Sequence, residues 1–316
     1  MEQTKSIWNR TWFVVIMATI CCLLWGSAFP CIKIGYNLFN ISADSTSAQI
    51  LFAGIRFAIS GVMVIIVGSI LYKRFLFPNS VKSLLCCLLL CLFQTVGQYI
   101  FFYVGLAHTS GSNGAIVEAT NTFFTILWSC LIFKTEKISF RKMLGCFVGF
   151  AGVCLIELHG TNLADFKFNL LGDGFVLISC LFASFVPSLL KQFSKFETPF
   201  VLSGYQFFFG GIVMAVAAML FGGTIAMPVQ VFKSFSLLAY LAFISACAYT
   251  IWSLLMKSND VSKVAIFGFI NPVFGFLLSA FILGEASSAF SLSGLESLVL
   301  VSLGIILVYY KKAETV

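Results

Sequence analysis

The chain has 316 residues, of which 60% are hydrophobic and only 10% charged, with a formal net charge of +7. A mean hydropathy of +1.02 leaves too little polar surface to cover a soluble globule, so the composition excludes a soluble domain and places the chain in lipid. The basic residues are scattered, with no stripe or aromatic-basic alternation, and no nucleic-acid partner is expected.

A transmembrane helix takes about 20 mostly apolar residues. Ten stretches of that order follow one another, at 12–34, 49–71, 83–106, 114–133, 141–158, 170–190, 201–221, 237–256, 264–283 and 292–310. The expected fold class is an all-α polytopic membrane protein. The first run has no small-residue cleavage pattern and reads as a span rather than a signal peptide, and the connections leave no soluble domain.

In the first span, Pro30 leaves the carbonyl of Gly26 without its helical donor. Lys33 lies close enough to the outer end to snorkel. Arg56 lies about seven residues into the second span, about 10 Å along a helix rising 1.5 Å per residue. There it can meet an anionic substrate, pair with a carboxylate or serve the structure. The third span sets Gln94 and Gln98 four residues apart with Tyr99 alongside.

The fourth span carries Glu118, Asn121, Thr122, Thr125 and Ser129 at i, i+3, i+4, i+7 and i+11, one continuous polar face of a helix. Such a face must meet protein or water, because polar groups turned to lipid lose their hydrogen bonds. Thr125 and Ser129 fit contacts between helices as well as a cavity. Glu118 is a functional candidate by its cost alone, able to take up a proton or to hold a cationic group.

Pro187 in the sixth span frees the carbonyl of Ala183, and Pro272 in the ninth frees that of Gly268. In the eighth span Tyr249 and Trp252 offer rings that either stack on a substrate or pack. With the N-terminus inside, 15 of the 19 basic residues fall on the cytoplasmic side and only Lys167 and Lys233 outside. That asymmetry predicts an even number of spans, a cell-membrane location and both termini cytoplasmic. The 11 cysteines lie almost all inside spans, without a C-x-x-C, and His108 and His159 are the sole histidines, so neither a metal nor another cofactor is expected. There is no P-loop.

A shift of 150 residues lays the chain on itself. Y-I-F-F-Y-V-G-L (99–106) falls on Y-T-I-W-S-L-L-M (249–256), and E-A-T-N-T-F-F-T-I-L (118–127) on G-F-I-N-P-V-F-G-F-L (268–277), so that Asn121 meets Asn271. I-R-F-A-I-S-G (55–61) falls on Y-Q-F-F-F-G-G (205–211), and with slippage S-A-F-P (27–30) on S-F-V-P (184–187). Two halves of five spans, 12–158 and 170–310, are expected. Five is odd, so the second half enters the membrane in the opposite direction, as an inverted repeat. Breaks near the midplane of such repeats point to a binding site or hinge, which makes Pro30, Pro187, Pro272 and Gly268 candidates.

W-G-S-A-F-P-C-I-K (25–33), I-R-F (55–57), A-H-T-S-G-S-N-G-A (107–115) and N-P-V-F-G-F-L-L-S-A-F-I-L-G-E (271–285) resemble the drug/metabolite transporter superfamily, specifically its ten-helix proteins with two EamA domains. The resemblance covers nearly the whole chain. It implies an alternating-access carrier with a central cavity between the halves, often exporting metabolites, amino acids or drugs, and it adds Trp25 and Ser27 to the cavity candidates. Two positions depart from it. I-F-K-T-E (132–136) stands where the second half has I-L-G-E (282–285), so Glu136 matches Glu285 only with a one-residue gap, and Glu118 replaces a small or apolar residue.

The expectation is therefore a secondary-active carrier of a small molecule, with protons as a candidate coupling ion. Its cavity would be built from Trp25, Ser27, Arg56, Gln94, Gln98, Tyr99, Glu118, Asn121, Thr122, Tyr249, Trp252 and Asn271. A membrane scaffold or assembly protein is the alternative, and it gives no reason for prolines and polar faces in matched spans.

Overall fold

The computed structural model describes residues 6–42, 44–109, 111–157, 169–282 and 292–309. Among the described residues all regular structure is helical. Ten helical segments follow the chain: α1 (Thr11–Leu38), α2 (Thr46–Leu71), α3 (Val81–Leu106), α4 (Gly111–Leu131), α5 (Phe140–Glu157), α6 (Leu170–Phe193), α7 (Pro199–Leu220), α8 (Val231–Ser258), α9 (261–282) and α10 (Leu292–Tyr309). The ten expected spans fall on these segments, with the largest difference at α8, which begins at Val231 rather than 237. Six of them (α1, α2, α3, α6, α7 and α8) are long and apolar enough to cross a membrane on length and composition alone, and the protein is a multi-pass membrane protein. α4 has the length, but its opening Gly-Ser-Asn-Gly and the Glu118 face dilute its hydropathy.

Local chemistry sets the helix ends. The Ser80 hydroxyl accepts the N–H of Ser83 before α3, and the Thr198 hydroxyl accepts that of Val201 before α7, where Pro199 takes the first helical position and has no N–H to lose. α1, α2 and α7 stop at left-handed residues, Asn40 (φ 51°), Lys73 (φ 51°) and Gly222 (φ 79°). In each case the next N–H reaches back five residues, from Ile41 to Tyr36, Arg74 to Ser69 and Gly223 to Ala218, closing otherwise orphaned carbonyls.

Three spans are not continuous α-helix, and α6 opens with a π-helical turn over Leu170–Gly174. α3 turns π-helical over Cys91–Gly97, and α9 passes through a tight 3-10 turn at Ile266–Phe269 before resuming at Ile270. α1 and α6 run unbroken through Pro30 and Pro187. In both, the serine three residues before the proline turns its hydroxyl back on its own helix, Ser27 to the carbonyl of Leu24 (2.7 Å) and Ser184 to that of Leu181 (2.8 Å).

Packing sorts the helices into two groups. α1 lies against α8 and α9, while α6 lies against α3 and α4. Joining them, α2 crosses α7 and α5 crosses α10. At the α2–α7 crossing, Gly54 meets Gly211 and Gly61 meets Gly204, so closely that a Cβ on Gly61 would sit 2.4 Å from the backbone nitrogen of Phe208 and one on Gly211 2.2 Å from that of Ala58. Only glycine lets the two backbones approach this far.

Candidate functional site

Where the two groups meet in mid-span, aromatic side chains form a connected layer. The hydroxyls of Tyr99 on α3 and Tyr249 on α8 are hydrogen-bonded at 2.6 Å. Phe57 on α2 stacks on Phe207 on α7, with ring centroids 5.4 Å apart and planes 10° apart. Phe57 also packs on Tyr99 (4.5 Å), and Phe207 on Tyr249 (4.9 Å). Trp25 on α1 meets Tyr249 edge-on at 4.9 Å and Trp252 at 5.0 Å.

Charged and amide groups rim this layer. Arg56 is only 5% exposed, and its guanidinium lies over the Phe57 ring, 4.5 Å from the centroid. It makes no ion pair with any described residue, and its Nε is buried without a partner among them. The Glu118 side chain is half-buried in mid-α4 and likewise makes no ion pair with any described residue; its backbone carbonyl receives the thiol of Cys180 at 3.7 Å. Trp25 Nε1, Gln98 Oε1 and Asn271 Oδ1 are buried polar atoms with no hydrogen-bond partner among the described residues. Buried polar groups are nearly always satisfied, so each of the three is unusual.

Not every sequence candidate belongs to this rim. Gln94, in the π-helical stretch of α3, accepts the side-chain amide of Gln206 at 2.9 Å and ties α3 to α7. The polar face of α4 divides along its length: Glu118 and Asn121 stay half-buried, whereas Thr122, Thr125 and Ser129 are buried. The Thr125 hydroxyl donates to Asn121 Oδ1 (3.4 Å), that of Ser129 to the carbonyl of Ile126 (2.9 Å), and Thr122 packs over Gly268. Ser27 bonds Tyr240 at 3.0 Å. Pro272 is the third residue of the α-helix that restarts at Ile270, where a missing N–H is tolerated, and the N–H of Ile270 closes the 3-10 turn onto the carbonyl of Phe267. Lys33 is exposed near the end of α1, in keeping with a snorkelled amine.

Sequence reasoning missed the polar contacts at the ends of the groups. At the end rich in lysine and arginine, Glu136 beyond α4 accepts the N–H of Ser262 (3.0 Å) and its hydroxyl at the start of α9, and pairs with Lys142 at 2.7 Å. Beside it, Lys191 on α6 donates to the carbonyl of Asn259 beyond α8 at 2.7 Å. Both contacts join one group to the other. Burial would raise the carboxyl pKa of neighbouring Asp260, but the Lys263 hydrogen bond and the charges of Lys263, Lys191 and Lys142 outweigh it and hold Asp260 below the ordinary carboxylate range.

At the opposite end the described polar contacts stay within each group. Thr109 beyond α3 donates to Asp173 on α6 (2.5 Å), Asn169 reaches the carbonyl of His108 (2.8 Å), and Ser27 meets Tyr240. Glu136 had drawn notice only as a partner of Glu285, which lies outside the described residues, as do His159 and Lys167. Among the described residues no three His, Cys, Asp or Glu side chains gather as a metal site.

The sequence pattern of the EamA-like transporter family matches residues 12–158 and again 170–310. A protein of Archaeoglobus fulgidus named "uncharacterized transporter" is 26% identical over 285 residues, spanning 88% of this chain and 92% of its own. The Escherichia coli K12 protein named "uncharacterized inner membrane transporter YedA" is 25% identical over 269 residues, spanning 84% and 81% respectively. One solved crystal structure shares the fold with a TM-score of 0.74 over 94% of this chain and 96% of its own, at 17% identity.

Proposed function

This chain belongs to the EamA-like transporter family, and from that membership we propose that it is a secondary-active exporter of a small metabolite, amino acid or drug, working by alternating access. Its two halves, 12–158 and 170–310, are inverted five-helix repeats, and the two helix groups that they build together rock around the aromatic layer. The observation that carries this reading is a set of contacts that maps onto itself when 150 is added. Tyr99 bonds Tyr249 and Phe57 stacks on Phe207, each residue meeting its own counterpart. The pair Gly54 and Gly211 becomes Gly204 and Gly61. The contacts of α1 with α8 and α9 become those of α6 with α3 and α4. Such exchange is what a two-fold axis in the membrane plane requires.

The basic end, which also carries both termini in this topology, is the cytoplasmic one by the positive-inside rule. The polar contacts between groups at that end support a carrier closed to the cytoplasm and open outward. Glu118, half-buried in mid-α4, is the coupling group, able to exchange a proton.

Thermal stabilisation of the purified protein across a metabolite panel identifies the substrate, and transport of each hit into proteoliposomes is then followed with and without a pH gradient. A chemically coherent set of hits, transported faster under the gradient in wild type but not in Glu118→Gln, is the expected result. A gradient response that survives Glu118→Gln unchanged removes the proton role, and a panel without hits removes the carrier.

A further inference from the structure

The connection between α2 and α3 lies along the start of α7. Tyr72 meets Phe200 with ring centroids 6.0 Å apart, the Tyr205 hydroxyl donates to the carbonyl of Leu76 at 3.1 Å, and the Phe77 ring stands 5.6 Å from that of Tyr205. One buried carboxylate fastens the two connections together. Glu197 accepts the Ser83 hydroxyl (2.6 Å), the backbone N–H and side-chain amide of Asn79 (3.3 and 3.2 Å) and the N–H of Thr198 (2.8 Å). It is the single acidic residue in residues 72–83 and 194–200, and those bonds occupy it.

Four cations stand around this frame with no acid left to meet them. Lys73, Arg74, Lys82 and Lys195 are exposed and make no ion pair with any described residue. The Lys82 ammonium lies over the Phe196 ring, 3.6 Å from its centroid, and Lys195 directly precedes that ring in the chain. Lys73 and Arg74 directly follow Tyr72, on the Phe200 side, and α7 begins between Phe196 and Phe200. Phe75, Phe77 and Phe196 are exposed beside them, at the ends of membrane-crossing helices.

The other half repeats the connection without the charge. A shift of 150 carries buried Pro78 onto buried Pro228 and exposed Phe77 onto exposed Met227. Lys73, Arg74 and Lys82 become Gly223, Thr224 and Phe232, and Lys195 answers to Ser45. Exposed apolar side chains are therefore common to both connections and need only hydrocarbon, whereas the cluster of cations belongs to one. We propose that this platform is a docking surface for an anionic phospholipid, with the four cations around its phosphate and Phe75, Phe77 and Phe196 against its acyl chains. Aromatic rings settle at the headgroup level, and basic clusters at the end of a span attract anionic lipid. The guanidinium of Arg74 can take two phosphate oxygens at once, while the lysines act as point charges. The surface stands apart from the carrier reading and from the aromatic layer.

The test titrates the full-length protein in detergent with dioctanoyl phosphatidylglycerol, dioctanoyl phosphatidylcholine and inorganic phosphate, reading thermal stabilisation. Phosphatidylglycerol should half-saturate at a concentration roughly tenfold or more below that of phosphatidylcholine, and inorganic phosphate should not reproduce its effect. Neutralising the platform with Lys73→Gln, Arg74→Gln, Lys82→Gln and Lys195→Gln together should abolish the preference. Neutralising four other exposed basic residues, with Arg10→Gln, Lys134→Gln, Lys137→Gln and Lys257→Gln together, should keep it. Equal response to the two lipids on the wild type overturns the proposal, as does a preference that survives in the platform variant. A preference lost equally in both variants shows a diffuse charge effect, and stabilisation matched by inorganic phosphate shows a plain anion site; either result overturns it too. Should the fourfold platform variant fail to fold, the pairs Lys73→Gln with Arg74→Gln and Lys82→Gln with Lys195→Gln should each weaken the preference, and two unchanged pairs overturn the proposal.

Discussion

Position 268 explains why only one half of the molecule carries a mid-span carboxylate. A Cβ built there would lie 2.5 Å from the Thr122 hydroxyl oxygen, so a side chain at the position that corresponds to Glu118 fits only if Thr122 gives way. The asymmetry is therefore steric on one side and chemical on the other: glycine is required where α9 tightens into its 3-10 turn, and a carboxylate is free to stand where α4 stays regular. Gly268→Ala should lower stability by about 1–3 kcal/mol through overpacking. Adding Thr122→Ala, which removes the offending oxygen, should recover most of the loss. Thermal unfolding followed by tryptophan fluorescence reads both, and a Gly268→Ala protein as stable as wild type would show that the two segments separate without penalty. Glu118 was legible in the sequence because a lone carboxylate in an apolar run needs no partner to be noticed. The burial of Thr122, Thr125 and Ser129 was not legible, since helical spacing gives the face they share but not the neighbour that covers part of it.

Among the elements, the α2–α7 crossing bears the closest backbone contact between the halves. Gly54, Gly61, Gly204 and Gly211 repeat at a spacing of seven within each helix and at 150 between them, a pattern present in the sequence that only the crossing explains. A Gly61→Val side chain would have to push α7 outward, because the atom it meets is the backbone nitrogen of Phe208 at 2.4 Å and not a movable side chain. The expected result is a loss of at least about 1–3 kcal/mol with a fall in folded yield. Gly174→Ala, whose Cβ would meet only the side chain of Leu170 at 3.1 Å, should be mild in the same thermal assay. Equal losses from the two would sink the close-approach argument. Span positions could be read in advance because hydrophobic length is dictated by the bilayer. The interruptions could not. The π-helical stretch of α3 contains no proline, and the 3-10 turn of α9 precedes Pro272 rather than following from it alone.

For the molecule as a whole, the proposed alternating access requires two ends that close in turn, and the described structure holds polar contacts between the two groups at one of them. The carboxylate of Glu136 takes the backbone N–H of Ser262 and the Lys142 ammonium, joining α4 to α9 where the lysines cluster. Hydrogen bonds to a charged group contribute about 1.5–3 kcal/mol, so deleting them in Glu136→Ala should move the balance between the two states by about tenfold to a hundredfold. Cysteine labelling can follow the shift, because nine of the eleven native cysteines are buried and the other two only half-exposed. Ser129→Cys, buried beneath the contact, reports on the cytoplasmic end, and Ser27→Cys, partly exposed beside Tyr240, reports on the other. If Glu136 holds the inner end shut, Glu136→Ala should speed labelling at position 129 and slow it at position 27. Faster labelling at both positions would mean that the change merely loosens the fold, and no change at either would mean that the Lys191 contact with Asn259 keeps that end closed by itself. Opposite movement at two sites is the signature that separates a gate from a structural clamp, since a rigid group turning about the aromatic layer cannot open one end without closing the other.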